Sequence, residues 1–343
     1  MTAIRACAML LIVVVPGLAA AAVKSVTSGS DLDYQAAIVR AGSDGTRIVV
    51  FERLDAFLNG DLWLTRSSDG GQSWGTPVLA VGGAPNERHP ALVKTAPGVY
   101  ALFYLKGTIS AATYRLWRAT SSDGQNFSEQ GMLDLGWATG GEANPHVVRH
   151  ADGTLTMSYQ RLGSGGVYVA QSTDGGVTWD SQQAAINANG QLPRITYRES
   201  DGRYLASFQT GGSALQMWVK TTTDVHDWSA AAQSFASTGN NHDSLPVVMP
   251  DDAFVLFWIR EVAGQFDIVA RRSVDGANWG EDIVVTASAG ENDVEPHPLV
   301  GASSGVVELY WGRETPLGSS DYDIVRDAAV VVLDPVFTSG FED

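Results

Sequence analysis

Cysteine is all but missing from this chain: of 343 residues only Cys7 carries a thiol, and it sits inside the N-terminal apolar stretch. No intrachain disulfide can form, so packing must supply the stability. Basic residues are scarce too. Against 38 Asp and Glu stand 22 Lys and Arg, a formal charge of −16 that argues against nucleic acid and anionic membrane surfaces as partners. Charged side chains reach only 17% and apolar ones 44%, a balance that excludes global disorder. No membrane span is expected beyond the N-terminal stretch, and the blade-start histidines His89, His146, His242 and His297 lie at repeat-length spacings with no short ligand motif. Neither a metal nor a cofactor is expected.

The N-terminus reads Met1-Thr2-Ala3-Ile4-Arg5, then apolar residues from Ala6 to Val15, Pro16-Gly17-Leu18 and the small-residue run Ala19 to Ala22. A basic start, a short apolar core and small residues before a cleavage point are features of a secretory signal peptide, expected over 1–22. A retained anchor is the competing reading, but Pro16, Gly17 and the alanines favour removal. The mature chain is therefore expected to be secreted or periplasmic and free of thiols.

What the chain has in plenty is glycine, 37 residues, and tryptophan, 10 residues, a composition suited to many short strands and tight turns. Ser67-Ser68-Asp69-Gly70-Gly71-Gln72-Ser73-Trp74 returns as Ser172-Thr173-Asp174-Gly175-Gly176-Val177-Thr178-Trp179. Three shorter variants complete a series of five: Ser121 with Asp123 and Phe127, Thr222 with Asp224 and Trp228, Ser273 with Asp275 and Trp279. The aspartates are spaced 54, 51, 50 and 51 residues apart. That is the length of a four-stranded propeller blade. Within each copy Asp and Ser can bond nearby turn amides, Gly can take a positive φ, and the aromatic ring can bury itself beneath the turn.

A second set of columns gives the blade count. Six nine-residue segments beginning at Gly45, Gly98, Gly153, Gly202, Asp252 and Gly305 align without a gap, with Phe51, Tyr104, Tyr159, Phe208, Trp258 and Trp311 at the seventh place. Such a column predicts packing between blades. Pro90, Pro145, Pro193, Pro246 and Pro296 mark innermost strands and are expected at strand starts. The reading is all-β: a six-bladed β-propeller of four-stranded antiparallel blades over 23–335, with blades at about 31–80, 86–134, 141–186, 190–238, 241–288 and 291–334. The sixth blade has no box and is expected to close the ring by borrowing a strand from Val23 to Thr27. An exposed tail is expected over 336–343.

The pattern Ser-x-Asp-x-Gly-x-Thr/Ser-Trp is the Asp box, or BNR repeat, and five boxes on six blades resemble the sialidase-like superfamily over essentially the whole mature chain. The resemblance implies that the boxes are structural and join third and fourth strands. For the family's enzymes it implies an arginine triad on a substrate carboxylate, a tyrosine paired with a glutamate as nucleophile, and an early aspartate as acid/base. The first-blade Arg-Ile-Pro signature has no counterpart here, since that stretch reads Tyr34-Gln35-Ala36-Ala37-Ile38-Val39. Its nearest look-alike, Leu192-Pro193-Arg194-Ile195, belongs to the fourth blade. No catalytic residue is carried across; Asp31 or Asp33 would be the acid/base and Tyr310 the nucleophile if the family chemistry held.

In an up-and-down blade the start of the first strand and the end of the second emerge opposite the boxes, on the face where a propeller takes its ligand. The ninth place of the aligned segments ends there: Arg53, Lys106, Arg161, Thr210, Arg260 and Arg313. The five basic members predict a positively charged funnel. Blade starts add His89, His146, Arg194, Asp243, Glu295 and His297. Together these eleven side chains are the expected ligand-binding set for an acidic carbohydrate or glycoconjugate, with arginine forks on a carboxylate and imidazoles or carboxylates on hydroxyls.

Two functions stay open. One is a secreted glycosidase of exo-α-sialidase type, or a polysaccharide lyase, acting on an acidic glycan. The other is a non-catalytic extracellular propeller that binds glycan or protein. Convergence of the basic column beside a perturbed carboxylate or histidine would favour the enzyme, and a scattered column the binder.

Overall fold

The computed structural model describes residues 22–42, 45–83, 85–108, 113–180, 184–212, 215–235, 239–303 and 305–333. Apart from Ala22 the expected leader lies outside them, as does the tail from 336 onward. Among the described residues no helix is long and apolar enough to cross a membrane.

Among the described residues the chain forms six four-stranded antiparallel sheets. Their innermost strands are Leu32–Arg40, Asn86–Ala96, Gly141–Arg149, Gln191–Arg198, Asn240–Val248 and Asn292–Val300. Each touches its neighbours on either side, and the last touches the first, so the sheets form a closed six-bladed propeller. Closure uses both chain ends. Lys24–Ser25 is the outer strand of blade six, with Lys24 opposite Arg326 and Ser25 opposite Val325, and the Val26 amide donates to the Ile324 carbonyl at 2.8 Å.

The seventh-place aromatics are all buried to 1% exposure or less, as an inter-blade core requires. Each such ring contributes about 1.5–3 kcal/mol by leaving water. The boxes form the turns their composition dictates. Asp69 Oδ1 accepts from the Gln72 and Ser73 amides at 2.9 and 3.0 Å and from the Ser67 hydroxyl at 2.7 Å. Asp123, Asp174 and Asp275 repeat the arrangement, whereas Asp224 keeps only the His226 amide. The box tryptophans reach the preceding blade. Trp179 meets Phe103 of blade two edge to face at 5.5 Å, Trp279 meets Phe235 of blade four at 4.8 Å, and Trp74 meets Tyr310 of blade six at 6.0 Å.

Blade six offers an arginine where it has no box. Arg326 donates to the carbonyls of Gly70 and Gly71, both at 2.8 Å, inside the first blade's box. A Cβ on Gly71, whose φ is +84°, would stand 2.6 Å from the Arg326 guanidinium carbon, so a side chain there would be strained and would displace the arginine.

The prolines correct an expectation. They do not start strands: Pro90, Pro145, Pro193 and Pro296 sit inside the innermost strands at a β-bulge. Blades one and five place Ala36 and Ser244 in the same bulge, while Pro246 lies beyond it in regular register. The residue just before is left-handed in all six blades, namely Gln35, His89, Asn144, Leu192, Asp243 and Glu295, at φ from 42° to 55°. A bulge leaves one residue out of the ladder and re-aims a side chain, and proline at that position forfeits no ladder bond. Non-glycine residues in this region cost on the order of 1 kcal/mol each and gather at functional sites.

Candidate functional site

The six bulges face one another across the channel. Gln35, His89, Asp243 and Glu295 from the left-handed positions, with His146, Arg194 and His297 two residues along their strands, line a cavity of about 30 Å³. Pro90, Pro145 and Pro296 form part of its wall, with Ala36, Ser244 and Leu245. The space admits a water-sized group, and the lining side chains sit deep in the protein while keeping an edge open to it.

Side chains from the ends of the second strands hold this floor in place. The Glu52 carboxylate accepts from the His89 amide at 2.6 Å, Gln160 Oε1 from the Leu192 amide at 3.1 Å, and Gln209 Oε1 from the Asp243 amide at 3.1 Å. Each bond runs from one blade to the bulge of the next. Glu52 also receives Arg88 Nε at 2.9 Å.

Charge on the floor is unevenly distributed. Glu295 is pushed up to about 8, first by burial and then by the nearby Asp243 charge, with Arg194 opposing. Gln35 Nε2 donates to Glu295 Oε1 at 3.0 Å. At neutral pH this carboxyl keeps its proton. His89 and His297 are lowered to about 4, and His146 falls well below its usual value, all chiefly by burial and further by Arg194. All three imidazoles are therefore neutral. The Ile195 amide donates to His146 Nδ1 at 3.3 Å, leaving the proton of that ring on Nε2. Asp243 Oδ2 lies 2.7 Å from His242 Nδ1. Several lining atoms lack a protein partner: Gln35 Oε1, His89 Nδ1 and Asp243 Oδ1. Arg194 forms no ion pair among the described residues and bonds only to the Pro193 carbonyl at 3.1 Å. Such groups need a water or a ligand.

Six of the eleven expected ligand residues thus converge: His89, His146, Arg194, Asp243, Glu295 and His297. The other five do not, and the expectation of a cationic funnel is corrected. Arg53 is clamped by Asp33 through two bonds of 2.7 and 2.8 Å and touches Asp31 at 3.0 Å. Lys106 lies between Glu87 and Glu129, Arg161 holds Glu142 at 2.6 Å, Arg260 holds Asp282 at 3.1 Å, and Arg313 is shared by Asp293 and Glu291. In four blades the counter-ion stands directly across the first two strands, so the column fastens strand ends within each blade. The blade-start asparagines are structural as well. Asn86, Asn240 and Asn292 each accept an amide of the preceding blade, from Gly60, Leu215 and Phe266.

The residues weighed for family chemistry are also placed elsewhere. Tyr310 is fully buried beneath the first box and donates to Glu308. Asp33 is 1% exposed and spent on Arg53. Among the described residues no group of three or more His, Cys, Asp or Glu side chains is arranged to hold a metal ion. Gln35, Glu52, Gln160 and Gln209 were not singled out by sequence reading. Their signal was present as the residue before a proline column and the eighth place of the aligned segments.

Solved structures share this fold at low identity. A protein of unknown function from Dyadobacter fermentans superposes with a TM-score of 0.73 at 14% identity, covering 90% of this chain and 99% of the other. An α-L-arabinofuranosidase of Fusarium graminearum, solved with an iminosugar inhibitor, gives 0.67 at 14% identity over 87% and 93% of the two chains. A Trypanosoma rangeli sialidase gives 0.64 at 12% identity over 86% of this chain and 53% of that one. No curated protein matches the sequence. The BNR repeat-like domain model matches residues 58–295, most of the propeller, and the chain belongs to that family.

Proposed function

We propose that this propeller acts on a glycan by general-acid chemistry at the channel floor, with Glu295 as proton donor. The observation that carries the reading is a carboxyl that keeps its proton at neutral pH in a cavity shared with a second carboxyl, Asp243, and an unpaired guanidinium, Arg194. Cleavage of a glycosidic bond needs an acid to protonate the departing oxygen and a second group to complete the displacement, and environments that separate two carboxyl pKa values assign those roles. The three neutral imidazoles offer hydrogen bonds to hydroxyls without adding charge. Arg194 can pair with one carboxylate, which keeps an acidic terminal sugar as the preferred ligand. Glycosidase neighbours at the fold level, on arabinose and sialic acid chemistry, are consistent with a carbohydrate substrate. The apolar leader supports action outside the cytoplasm.

A second reading has its own observation. Because the basic column is consumed by ion pairs within blades and the floor admits only a water-sized group, the propeller would bind a glycan without cleaving it. One assay separates the two. Purified protein is incubated with sialosides, arabino-oligosaccharides and uronic-acid oligosaccharides, and released reducing or unsaturated ends are measured together with binding. Turnover that Glu295→Gln abolishes supports the enzyme; saturable binding with no turnover of any substrate refutes it.

A further inference from the structure

A second cavity, of about 770 Å³, opens at the seam of blades one and two. It lies among the end of one second strand, the start of a third and the end of a fourth, so it shares the funnel's face but sits away from the channel floor. Its volume is that of a pocket for a sugar of one to a few units. Trp63 forms part of the lining, with Arg53 stacked over its ring at 4.8 Å. Asp31, Asp55, Asp61, Asn59, Asn86 and Thr108 supply the polar lining. Arg53, the one cation among the described lining residues, is already shared by Asp31 and Asp33, so this lining is net acidic.

Beside it stands an aromatic ring that the fold leaves in water. Phe57 is 80% exposed, on a loop fixed by Asp55, whose Oδ1 accepts from the Phe57 and Asn59 amides at 2.8 Å each. Asp55 and Asn59 on either side of Phe57 in sequence line the cleft, so a solvent-facing ring on a loop with a fixed backbone joins Trp63 as a surface for stacking.

We propose that this cleft is a subsite for uncharged units of a glycan, with C–H faces on Phe57 and Trp63 and hydroxyls on Asp31 and Asp61. The carboxylates accept hydroxyl hydrogen bonds and repel an anionic sugar, so the charge preference here is the reverse of that at Arg194. The proposal rests on the glycan reading above and adds to it a neutral stretch of the ligand, away from the terminal unit.

Calorimetric titration with arabinotriose, xylotriose, cellotriose and trigalacturonate tests it. The expected result is binding of at least one neutral trisaccharide in preference to trigalacturonate, weakened about fivefold to tenfold by Phe57→Ala, the loss of one stacking contact. Asp61→Asn, which keeps an acceptor for the Gly83 amide, should also weaken it. Unchanged affinity in both variants overturns the subsite and leaves the channel-floor reading standing. Tighter binding of trigalacturonate than of any neutral trisaccharide overturns the charge assignment. Failure of the wild type to bind any of the four overturns this subsite, whereas the glycan reading at the channel floor stands or falls on the sialoside and uronate turnover assay above.

Discussion

Glu308 of blade six and Arg47 of blade one form a two-pronged ion pair across the seam where the ring closes, with nitrogen to oxygen distances of 2.6 and 3.1 Å. Arg40 and Arg326 share the same carboxylate, and Arg326 continues into the first box. One glutamate therefore ties three arginines at the joint between the ends of the chain. Burial alone would raise the Glu308 carboxyl, but Arg47 and its companions outweigh this and hold it below the usual carboxylate range.

Glu308→Ala should be the most damaging single change at that seam. It leaves buried arginines without their counter-ion, a loss of about 3–5 kcal/mol in unfolding free energy. Urea denaturation should show a lower midpoint, and Glu308→Gln, which keeps an acceptor, should lose less. The sign with pH follows from a folded pKa below the unfolded one: the contribution is complete above the ordinary glutamate range and lost as pH falls through the folded value. At pH values low enough to protonate Glu308 in both states, wild type and Glu308→Gln should converge in stability.

Glu295 behaves in the opposite sense. Its folded pKa of about 8 exceeds the unfolded value, so the folded state binds the proton more tightly and stability falls as pH rises between the two. Glu295→Gln removes that penalty while keeping an acceptor for Gln35 Nε2. The variant should unfold at higher denaturant than wild type at pH 8, by on the order of 4 kcal/mol, with the difference vanishing near pH 4. If Glu295 is the proton donor, activity falls with an apparent pKa near 8 as its proton is lost. A variant no more stable than wild type at pH 8 would show that Glu295 ionises normally.

The floor histidines should be silent in the range where histidine ordinarily titrates. His89 and His297 are lowered to about 4 and His146 well below its ordinary value, first by burial, with Arg194 adding to each and Arg88 adding to His89. Ring proton shifts of these three should stay constant from pH 7.5 to 5 and move only near or below pH 4. Since the unfolded chain takes up those protons around pH 6.5, their contribution to stability is present above that value and erodes on acidification.

The repeat was legible because each box closes on itself within a few residues. Asp69 finds its partners at 72 and 73, so composition and spacing suffice to place the turn. The ninth-column cations were misread because their partners are set by register between strands. Asp33 precedes Arg53 by 20 residues and Glu142 precedes Arg161 by 19, separations that acquire meaning only once the first two strands are paired. The floor was half legible for a similar reason. A residue followed by proline recurs in four blades, but that it is left-handed and re-aims a side chain into the channel is a property of the bulge. Glu52 acts on the next blade's amide, a relation no local pattern encodes.

Arg53 and Arg194, both read from sequence as ligand-binding, should now separate cleanly. Arg53 donates through Nε and Nη2 to both oxygens of Asp33, which is 1% exposed, so Arg53→Ala strands a buried carboxylate. Its main cost should be stability, about 3–5 kcal/mol, read as a lower denaturation midpoint. Arg194 has no carboxylate to abandon and lies in the cavity wall. Arg194→Ala should leave the midpoint within about 0.5 kcal/mol of wild type or raise it, because a buried cation without an ion pair is costly to retain. Anionic saccharides should bind at least tenfold more weakly, the loss of a charged hydrogen-bonded contact of about 1.5–3 kcal/mol. The same substitution should raise the pKa of His89, His146 and His297, since Arg194 is among the charges that depress each of them. Ring shifts that move at higher pH in Arg194→Ala, alongside weakened anion binding, place the guanidinium on the floor in solution. Unmoved histidine titrations would place it elsewhere and remove the anchor for an acidic sugar.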